Sequence, residues 1–375
     1  MAASWDFILT DLEGNQLSSI VQYNSAQVQY VEGAPATVAF VLPVTADAVQ
    51  HLLIAKTLVI GYRTNRDGVR TLRFTGHVIM DEIQGSAQGG TTVSVLAADP
   101  RWLFKRWLVT GSLSSGKPGT IIQDEVWEVQ GGTDPDDDNV LIRTYNNNGY
   151  LGEHDEGGVT RTDNWIFKMV GEIVDTYYNL PDYVATDFIP IYPEPHTNNI
   201  GTGTAWTLGD LSTSVNPGVD RPDAELGFGA GTLDNVISVS HNRNVDRVAR
   251  KVWVKSNRFL GSALYTGYWP TSPEISISDV DSWETYDEVD TEDEAYDIAE
   301  GILAKRRTPD DSAETKIQLG VNAPEFFDDF YLSDTLPFTF KKEVEFTASL
   351  KVYGVTLDIK PNGNEVISAL DTRQS

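Results

Sequence analysis

The sequence predicts a mainly β protein with minor α, in which two similar small antiparallel β-barrel domains flank inserted mixed α/β regions. Three observations predict it. Short alternating apolar runs recur toward both ends of the chain, a block near the N-terminus is echoed near the C-terminus, and only isolated stretches carry helical spacing. The echo is the most informative of the three. Thr57-Leu58-Val59-Ile60-Gly61-Tyr62-Arg63 is matched by Thr335-Leu336-Pro337-Phe338-Thr339-Phe340-Lys341, and Phe74-Thr75-Gly76-His77-Val78 by Val352-Tyr353-Gly354-Val355-Thr356. Thr57 lies 19 residues before Gly76, and Thr335 lies 19 before Gly354. Each block closes on an alternating strand ending in an acid, Asp99 or Asp371, and the last hairpin shrinks from 23 residues to 17. A single pair so far apart is not a solenoid array, whose repeats run about 20–50 residues. It reads as one small β-domain written twice.

Taken in order, residues 1–108 form the first β-barrel domain. Trp5, Phe7 and Leu9 alternate, Asp11 to Asn15 turn the chain, and Val28-Tyr30 and Val38-Phe40-Leu42 alternate again. Asn65-Arg66-Asp67-Gly68 is a hairpin turn, because Asp-Gly supplies the positive φ such turns need. Residues 109–235 form a mixed α/β insertion with long loops. Within it a short helical segment runs through Ile121, Ile122 and Val126, and Thr162 or Asp163 caps a helix carrying Trp165, Met169, Val170, Ile173, Val174 and Tyr177. Residues 236–313 combine strands, an acidic segment and a helix over 292–307. Thr291 and Glu294 make its capping box, Ala295, Ile298, Ala299, Ile302 and Leu303 its apolar stripe, and Lys305-Arg306-Arg307 its basic end. The second barrel occupies 314–375 and draws a strand from 236–258.

The bulk numbers narrow the function. At 375 residues the chain exceeds one ordinary core. It contains no run of about 18 apolar residues, and its start lacks a basic region followed by an apolar one, so neither stable membrane insertion nor Sec-type export is expected. Zero cysteines exclude thiol chemistry, disulfides and cysteine-ligated zinc. A net charge of −27 opposes tight nucleic-acid binding, which needs clustered Lys and Arg.

No constellation points to catalysis or a cofactor. The five histidines, His51, His77, His154, His196 and His241, stand singly with no metal-binding spacing. Asp134, Asp136 and Asp138 sit at the first three odd positions of a calcium loop, yet Asn139 replaces its glycine and Tyr145 its closing glutamate. Nucleophile elbows, phosphate loops and dinucleotide fingerprints are missing. From Phe259 to Ala304 the chain has twelve acids and no Lys or Arg. Such a run is either a solvated face or a wall past which DNA slides without sticking, and the second reading assigns Glu274, Asp279, Asp281, Glu284, Asp287, Glu288 and Asp290 to a channel. Trp102, Phe104 and Trp107, clustered between cations, read as a buried plug at a domain or subunit boundary.

The opening Trp5-Asp6-Phe7-Ile8-Leu9-Thr10-Asp11-Leu12-Glu13-Gly14, the Leu58-Val59-Ile60-Gly61-Tyr62-Arg63 strand and the Ala98-Asp99-Pro100-Arg101-Trp102-Leu103 corner resemble the tail-tip hub proteins of long-tailed phages of actinobacteria. Leu233-Asp234-Asn235-Val236-Ile237-Ser238-Val239-Ser240, followed by Val252-Trp253-Val254, extends the resemblance over nearly the whole chain. The family is related to the baseplate hub of contractile phages. The resemblance implies a homotrimer whose two barrels per chain make a pseudo-six-fold ring, joining the tail tube and distal tail protein to three-fold tip or fibre proteins. It further implies a frame for the DNA exit channel, contact with the tape-measure protein, no enzymatic activity, and a place in the virion tail tip after assembly in the host cytoplasm. Some members continue into a peptidase or fibre-like extension, whereas this chain stops at Ser375 after its second barrel. The competing reading of an acid-rich β protein with nine tryptophans is a carbohydrate-binding or glycan-degrading protein acting on the host envelope.

Overall fold

The computed structural model describes residues 3–110, 219–242 and 314–374, apart from 13, 32–33, 86–89, 230, 321–322 and 343–344, together with short segments between these stretches. Thirteen strands of this described portion form one sheet. They are β1 Ser4–Thr10, β2 Gln16–Ser19, β3 Ser25–Val31, β4 Ala34–Pro43, β5 Leu58–Thr64, β6 Arg70–Gln84 and β7 Thr92–Ala98, then β8 Leu226–Phe228, β9 Val236–Asn242, β10 Glu314–Leu319, β11 Thr335–Lys341, β12 Glu345–Ile359 and β13 Glu365–Gln374.

Their order reveals the duplication. Strands run β3-β4-β7-β6-β5 in the first half and β9-β10-β13-β12-β11 in the second, every neighbouring pair antiparallel. Chain order and spatial order both match, so the two halves are copies of one five-stranded unit. In each, the long strand (β6 or β12) pairs the first hairpin strand with its leading half and the last strand with its trailing half. A register break falls at the same level in both ladders, after Val78 and after Thr356, and the β12–β13 ladder has a further break after Val352. Matched corners precede β5 and β11, where the non-glycine residues Ala55 and Ser333 take φ of 59° and 70°. The units differ at their outer flank, where β1 runs antiparallel to β5 but β8 runs parallel to β11.

One expected match fails in detail. The equal 19-residue spacing suggested equal hairpin registers, yet Leu58 pairs with His77 whereas Leu336 pairs with Leu350. Five residues separate β5 from β6 and only three separate β11 from β12, so the second hairpin closes earlier. Its first strand is thereby displaced along the long one.

Alternation explains why these segments are strands. Trp5, Phe7 and Leu9 of β1, Ala26, Val28 and Tyr30 of β3, Ala36, Val38, Phe40 and Leu42 of β4, and Val93, Val95 and Ala97 of β7 are buried in a period of two. They join Leu350, Val352, Val355, Leu357 and Ile359 of β12 in a common core. The turn before β6 behaves as its composition dictates: Asn65 Oδ1 accepts from Asp67 N at 3.0 Å and Val69 N at 2.9 Å, and Gly68 takes φ of 83°.

The two units meet strand to strand. β3 of the first pairs antiparallel with the trailing half of β12 of the second, setting Ala26 opposite Ile359, Val28 opposite Leu357 and Tyr30 opposite Val355. All six are buried, and on the other face Gln27 Nε2 donates to Asp358 Oδ1 at 2.9 Å. Each apolar side chain so buried contributes about 1.5–3 kcal/mol relative to exposure. The seam thus carries enough apolar contact to fix one unit against the other.

Between the units the described elements are short. Ser114–Gly116 pairs with Arg161–Asp163, and Lys251–Lys255 lies between Leu264–Tyr265 and Asp281–Thr285. Helix appears at Ile121, Asp124, Glu125, Val126 and Glu128, with Ile121 and Val126 buried. The expected helix cap at Thr162 or Asp163 is corrected: both residues are in a strand, and the described helix begins at Val170. Pairing with the chain after Phe104 holds Met169 out of it, since Val170 N donates to Trp107 O at 3.0 Å and Val109 N to Lys168 O at 2.8 Å. The 292–307 helix is described at Ala295, Tyr296, Ala299, Ile302 and Leu303, and its stripe residues Ala295, Ala299, Ile302 and Leu303 are buried. Among the described residues no helix is long and apolar enough to cross a membrane.

Candidate functional site: the charged joint between the two units

Arg63 occupies an inward-facing position of β5, opposite Trp5 of β1, and is 1% exposed. A guanidinium removed from water demands partners for all its N–H groups. The second unit supplies them. Nε of Arg63 lies 3.0 Å from both carboxylate oxygens of Glu365, Nη2 donates to Glu365 at 2.7 Å and to Glu325 at 3.0 Å, and Nη1 donates to Asp328 at 2.5 Å. Arg66 closes on the other oxygen of Glu325 and donates to the Ala323 carbonyl at 2.9 Å. Trp5 Nε1 donates to Glu365 Oε2 at 2.5 Å, and Asn65 Nδ2 reaches Asp328 at 3.4 Å.

The local chain builds this arrangement from both sides. Gly61 leaves room for the Trp5 and Phe7 rings, since a Cβ there would sit 3.1 Å from each. The β12–β13 turn is held against β1 by Trp5 N to Gly363 O at 2.8 Å and Glu365 N to Ala3 O at 3.1 Å, which delivers Glu365 under Trp5. Glu325 and Asp328 come from the turn 325–330, where Phe326, Phe327 and Phe330 are buried.

Electrostatically, two guanidiniums face three carboxylates. Burial disfavours the Arg63 charge, yet its hydrogen bonds to Glu365 outweigh that and hold the guanidinium more firmly protonated than in water. Burial raises Glu325, reinforced by its contact with Asp328, while Asp328 is lowered because its bond to Arg63 overrides burial. Of these two carboxyls, Glu325 is therefore the one that takes up a proton first as pH falls. Every carboxylate is committed to a guanidinium, so the cluster works as a clamp between units. Among the described residues no group of three His, Cys, Asp or Glu side chains is placed to hold a metal ion.

The sequence-derived candidates fall elsewhere. Trp102 and Phe104 lie on the 3-10 turn Pro100–Lys105, capped by Asp99, whose Oδ1 accepts from Arg101 N at 2.9 Å. Phe104 is buried, whereas Trp102 and Trp107 are half-buried. Phe104 and Trp107 pack at 5.9 Å, and Trp102 meets His77 edge-on at 6.3 Å. Burial pushes His77 down to about 4, so its imidazole is neutral near pH 7. Of the acidic candidates, Asp281 and Glu284 lie on the strand Asp281–Thr285. Glu274, Asp279, Asp287, Glu288 and Asp290 lie outside the described residues, as does the 134–138 loop.

The clamp escaped sequence reading because Glu325, Asp328 and Glu365 are single acids in an acid-rich chain, and only folding brings them to Arg63. One signal was present. Arg63 interrupts the buried run of β5 at the phase where an apolar residue belongs, and a lone charge in that phase needs a distant partner.

With the geometry established, solved structures supply the comparison. The chain is similar to a tail protein from Neisseria meningitidis MC58, with TM-score 0.53, 11% identity, and coverage of 99% of this chain and 97% of that one. The 43 kDa tail protein of prophage MuSo2 from Shewanella oneidensis matches with TM-score 0.58, 11% identity and coverage of 99% and 98%. Prophage tail protein gp18 from Listeria monocytogenes matches with TM-score 0.52, 9% identity and coverage of 99% and 94%. The fold is that of phage tail proteins. No family model matches the chain, and no curated protein matches its sequence.

Proposed function

We propose that this chain is a non-enzymatic structural component of a phage tail, a tail-tip hub that assembles as a homotrimer. The observation that carries the reading is the internal duplication, in which two units of equal strand order are fused by the β3–β12 seam and the Arg63 clamp. Three such chains present six near-equivalent units, which is what a component needs to join a six-fold tube and distal tail protein to three-fold tip or fibre proteins. Likeness along the full length to tail proteins of three bacteria supports a tail role.

On this reading the net charge of −27 keeps the ring from gripping DNA. The acidic residues of 274–290 frame the exit channel, the tape-measure terminus is held at the ring, and Trp102, Phe104 and Trp107 sit at a domain or subunit boundary. Imaging tails made with and without this chain tests the proposal. The expected result is a ring of three copies at the tip of complete tails, and tails lacking a tip when the chain is removed. Complete tails without it, or a purified chain that binds one defined sugar on a glycan array, would overturn the hub reading and favour an envelope-glycan protein.

A further inference from the structure

We infer that the joint around Arg63 is built in two layers: the outer layer, Arg66 on Glu325, is a proton-operated catch on the tip of the β5–β6 hairpin, while the inner layer holds the units together. The catch works within one chain and is independent of how copies assemble. The two layers differ in burial. In the inner one the Arg63 side chain is 1% exposed and that of Glu365 7%, joined by Nε at 3.0 Å and Nη2 at 2.7 Å, with Trp5 Nε1 on the same carboxylate. In the outer one the Arg66 side chain is 44% exposed and that of Glu325 11%.

The tip itself is a small, self-closed turn. Asn65, Arg66, Asp67, Gly68 and Val69 connect β5 to β6, and the last four are exposed. Asn65 N donates to Val69 O at 3.0 Å, and the Asn65 carbonyl accepts from Gly68 N at 3.0 Å. Among the described residues, the bonds that side chains of the tip make to the second unit are Arg66 to Glu325, Arg66 to the Ala323 carbonyl at 2.9 Å, and a long contact from Asn65 Nδ2 to Asp328 at 3.4 Å. Without the first, the tip keeps one carbonyl and one long contact.

Charge balance makes the outer layer the one that answers to protons. Two guanidiniums face three carboxylates. The charged groups around Glu325 are Arg63 of β5, Arg66 of the tip, Glu365 of β13, and Asp328 and Asp329 of its own turn; Arg73 of β6 lies 4.7 Å over the Phe327 ring of that turn. The turn is stiff. Glu325 N donates to Asp329 Oδ2 at 2.7 Å, Tyr331 Oη donates to Phe327 O at 2.5 Å, and Phe327 holds φ of 75°. Glu325 and Asp328 are thus kept within hydrogen-bonding reach of each other, where two like charges readily share one proton. Burial, then Asp328, raises Glu325 above its ordinary 4.5, whereas Asp328, which burial alone would raise, is lowered by its bond to Arg63. The proton therefore goes to Glu325, which then donates to Asp328 and gives up its ion pair with Arg66. A raised carboxyl binds its proton more tightly in the folded chain than in the unfolded one, so acidification through this window favours the fold at this group. The loss is confined to the tip.

Hydrogen exchange of the purified full chain tests the catch, with amide protection corrected for the intrinsic effect of pH. Asn65 N, Gly68 N and Val69 N report the tip, and Trp5 N and the β3–β12 amides report the seam. From pH 7 to pH 4.5, tip protection is expected to fall at least about threefold in the native chain. Glu325→Gln, which fixes a neutral side chain, should show the lowered tip protection already at pH 7 and no further loss at pH 4.5. Arg66→Gln, a change at an exposed side chain, should behave alike, and it decides the matter if Glu325→Gln does not fold. The seam, whose pH response includes the His77 titration, should respond in the same way in all three chains within about twofold. Level tip protection in the native chain, or a full pH response retained in either variant, would overturn the catch. Seam protection that falls together with the tip in Arg66→Gln at pH 7 would overturn it too, by making the joint a single layer. Each of these results leaves the tail role standing.

Discussion

The first and second units share a strand order but spend their edges differently. In the second unit the trailing half of the long strand is covered by β3, and its inward residues Val355, Leu357 and Ile359 are buried. At the matched positions of the first unit His77 is buried, Ile79 half-buried and Asp81 exposed. In the first unit the cation at the end of the hairpin strand, Arg63, is buried among three carboxylates; its counterpart in the second, Lys341, is exposed and pairs, among the described residues, with Glu345 at 3.1 Å across its own hairpin. The difference teaches that duplication sets the framework while position in the chain sets the chemistry. One matched cation lies at the seam between the units and has been given buried partners, and the other is left at the surface.

Changes at matched positions sharpen or break that contrast. The largest effect is expected at Arg63. Arg63→Ala strands Glu365 and Glu325 without their guanidinium and should destabilise the fold by about 3–5 kcal/mol, whereas Lys341→Ala should stay within about 0.5 kcal/mol. Denaturant unfolding of both variants checks this, and equal losses would dissolve the distinction between the two matched cations.

Next comes His77, whose matched residue is the apolar Val355. Because burial lowers His77 from 6.5 to about 4, the unfolded chain takes up the proton first as pH falls. Stability contributed by the neutral ring is complete above pH 6.5 and is lost as pH drops toward 4, by roughly 3 kcal/mol through this group. His77→Val should flatten the stability profile in that window, and an unchanged slope would place the titration elsewhere.

The matched glycines should differ by less. A Cβ at Gly76 would lie 2.5 Å from the Ala98 carbonyl oxygen, which is backbone, whereas one at Gly354 would meet the Asp371 side chain at 3.2 Å. Gly76→Ala is expected to cost about 1–3 kcal/mol and Gly354→Ala under about 1 kcal/mol, read from the shift in unfolding midpoint. The smallest effect is expected at the corners. Ala55 and Ser333 hold positive φ without being glycine, so Ala55→Gly and Ser333→Gly should each change stability by no more than about 1 kcal/mol, with Ala55→Gly stabilising. Destabilisation by Ala55→Gly would mean that loop entropy outweighs relief of strain at that corner.

Much of the fold was legible because alternation is a local signal. The inward phases of β1, β3, β4 and β7, the Asn65–Gly68 turn and the buried stripe of the 292–307 helix all follow from residue type and spacing. So did the duplication, whose Gly76 and Gly354 mark the same level of both ladders. The hairpin registers were not legible, because equal spacing counts residues and ignores loop length. Nor was the helix boundary near Met169, which is set by a bridge to Leu108 far away in sequence.

The sequence by itself determined which segments become strands and that one unit occurs twice, since side-chain alternation acts within a few residues. Only the tertiary structure decided how the copies share edges and where Arg63 finds its acids. The buried charge of Arg63 is satisfied by groups 262 to 302 positions away and the β3 edge by a strand farther still along the chain, and nothing in a local pattern encodes which of 55 acids will arrive.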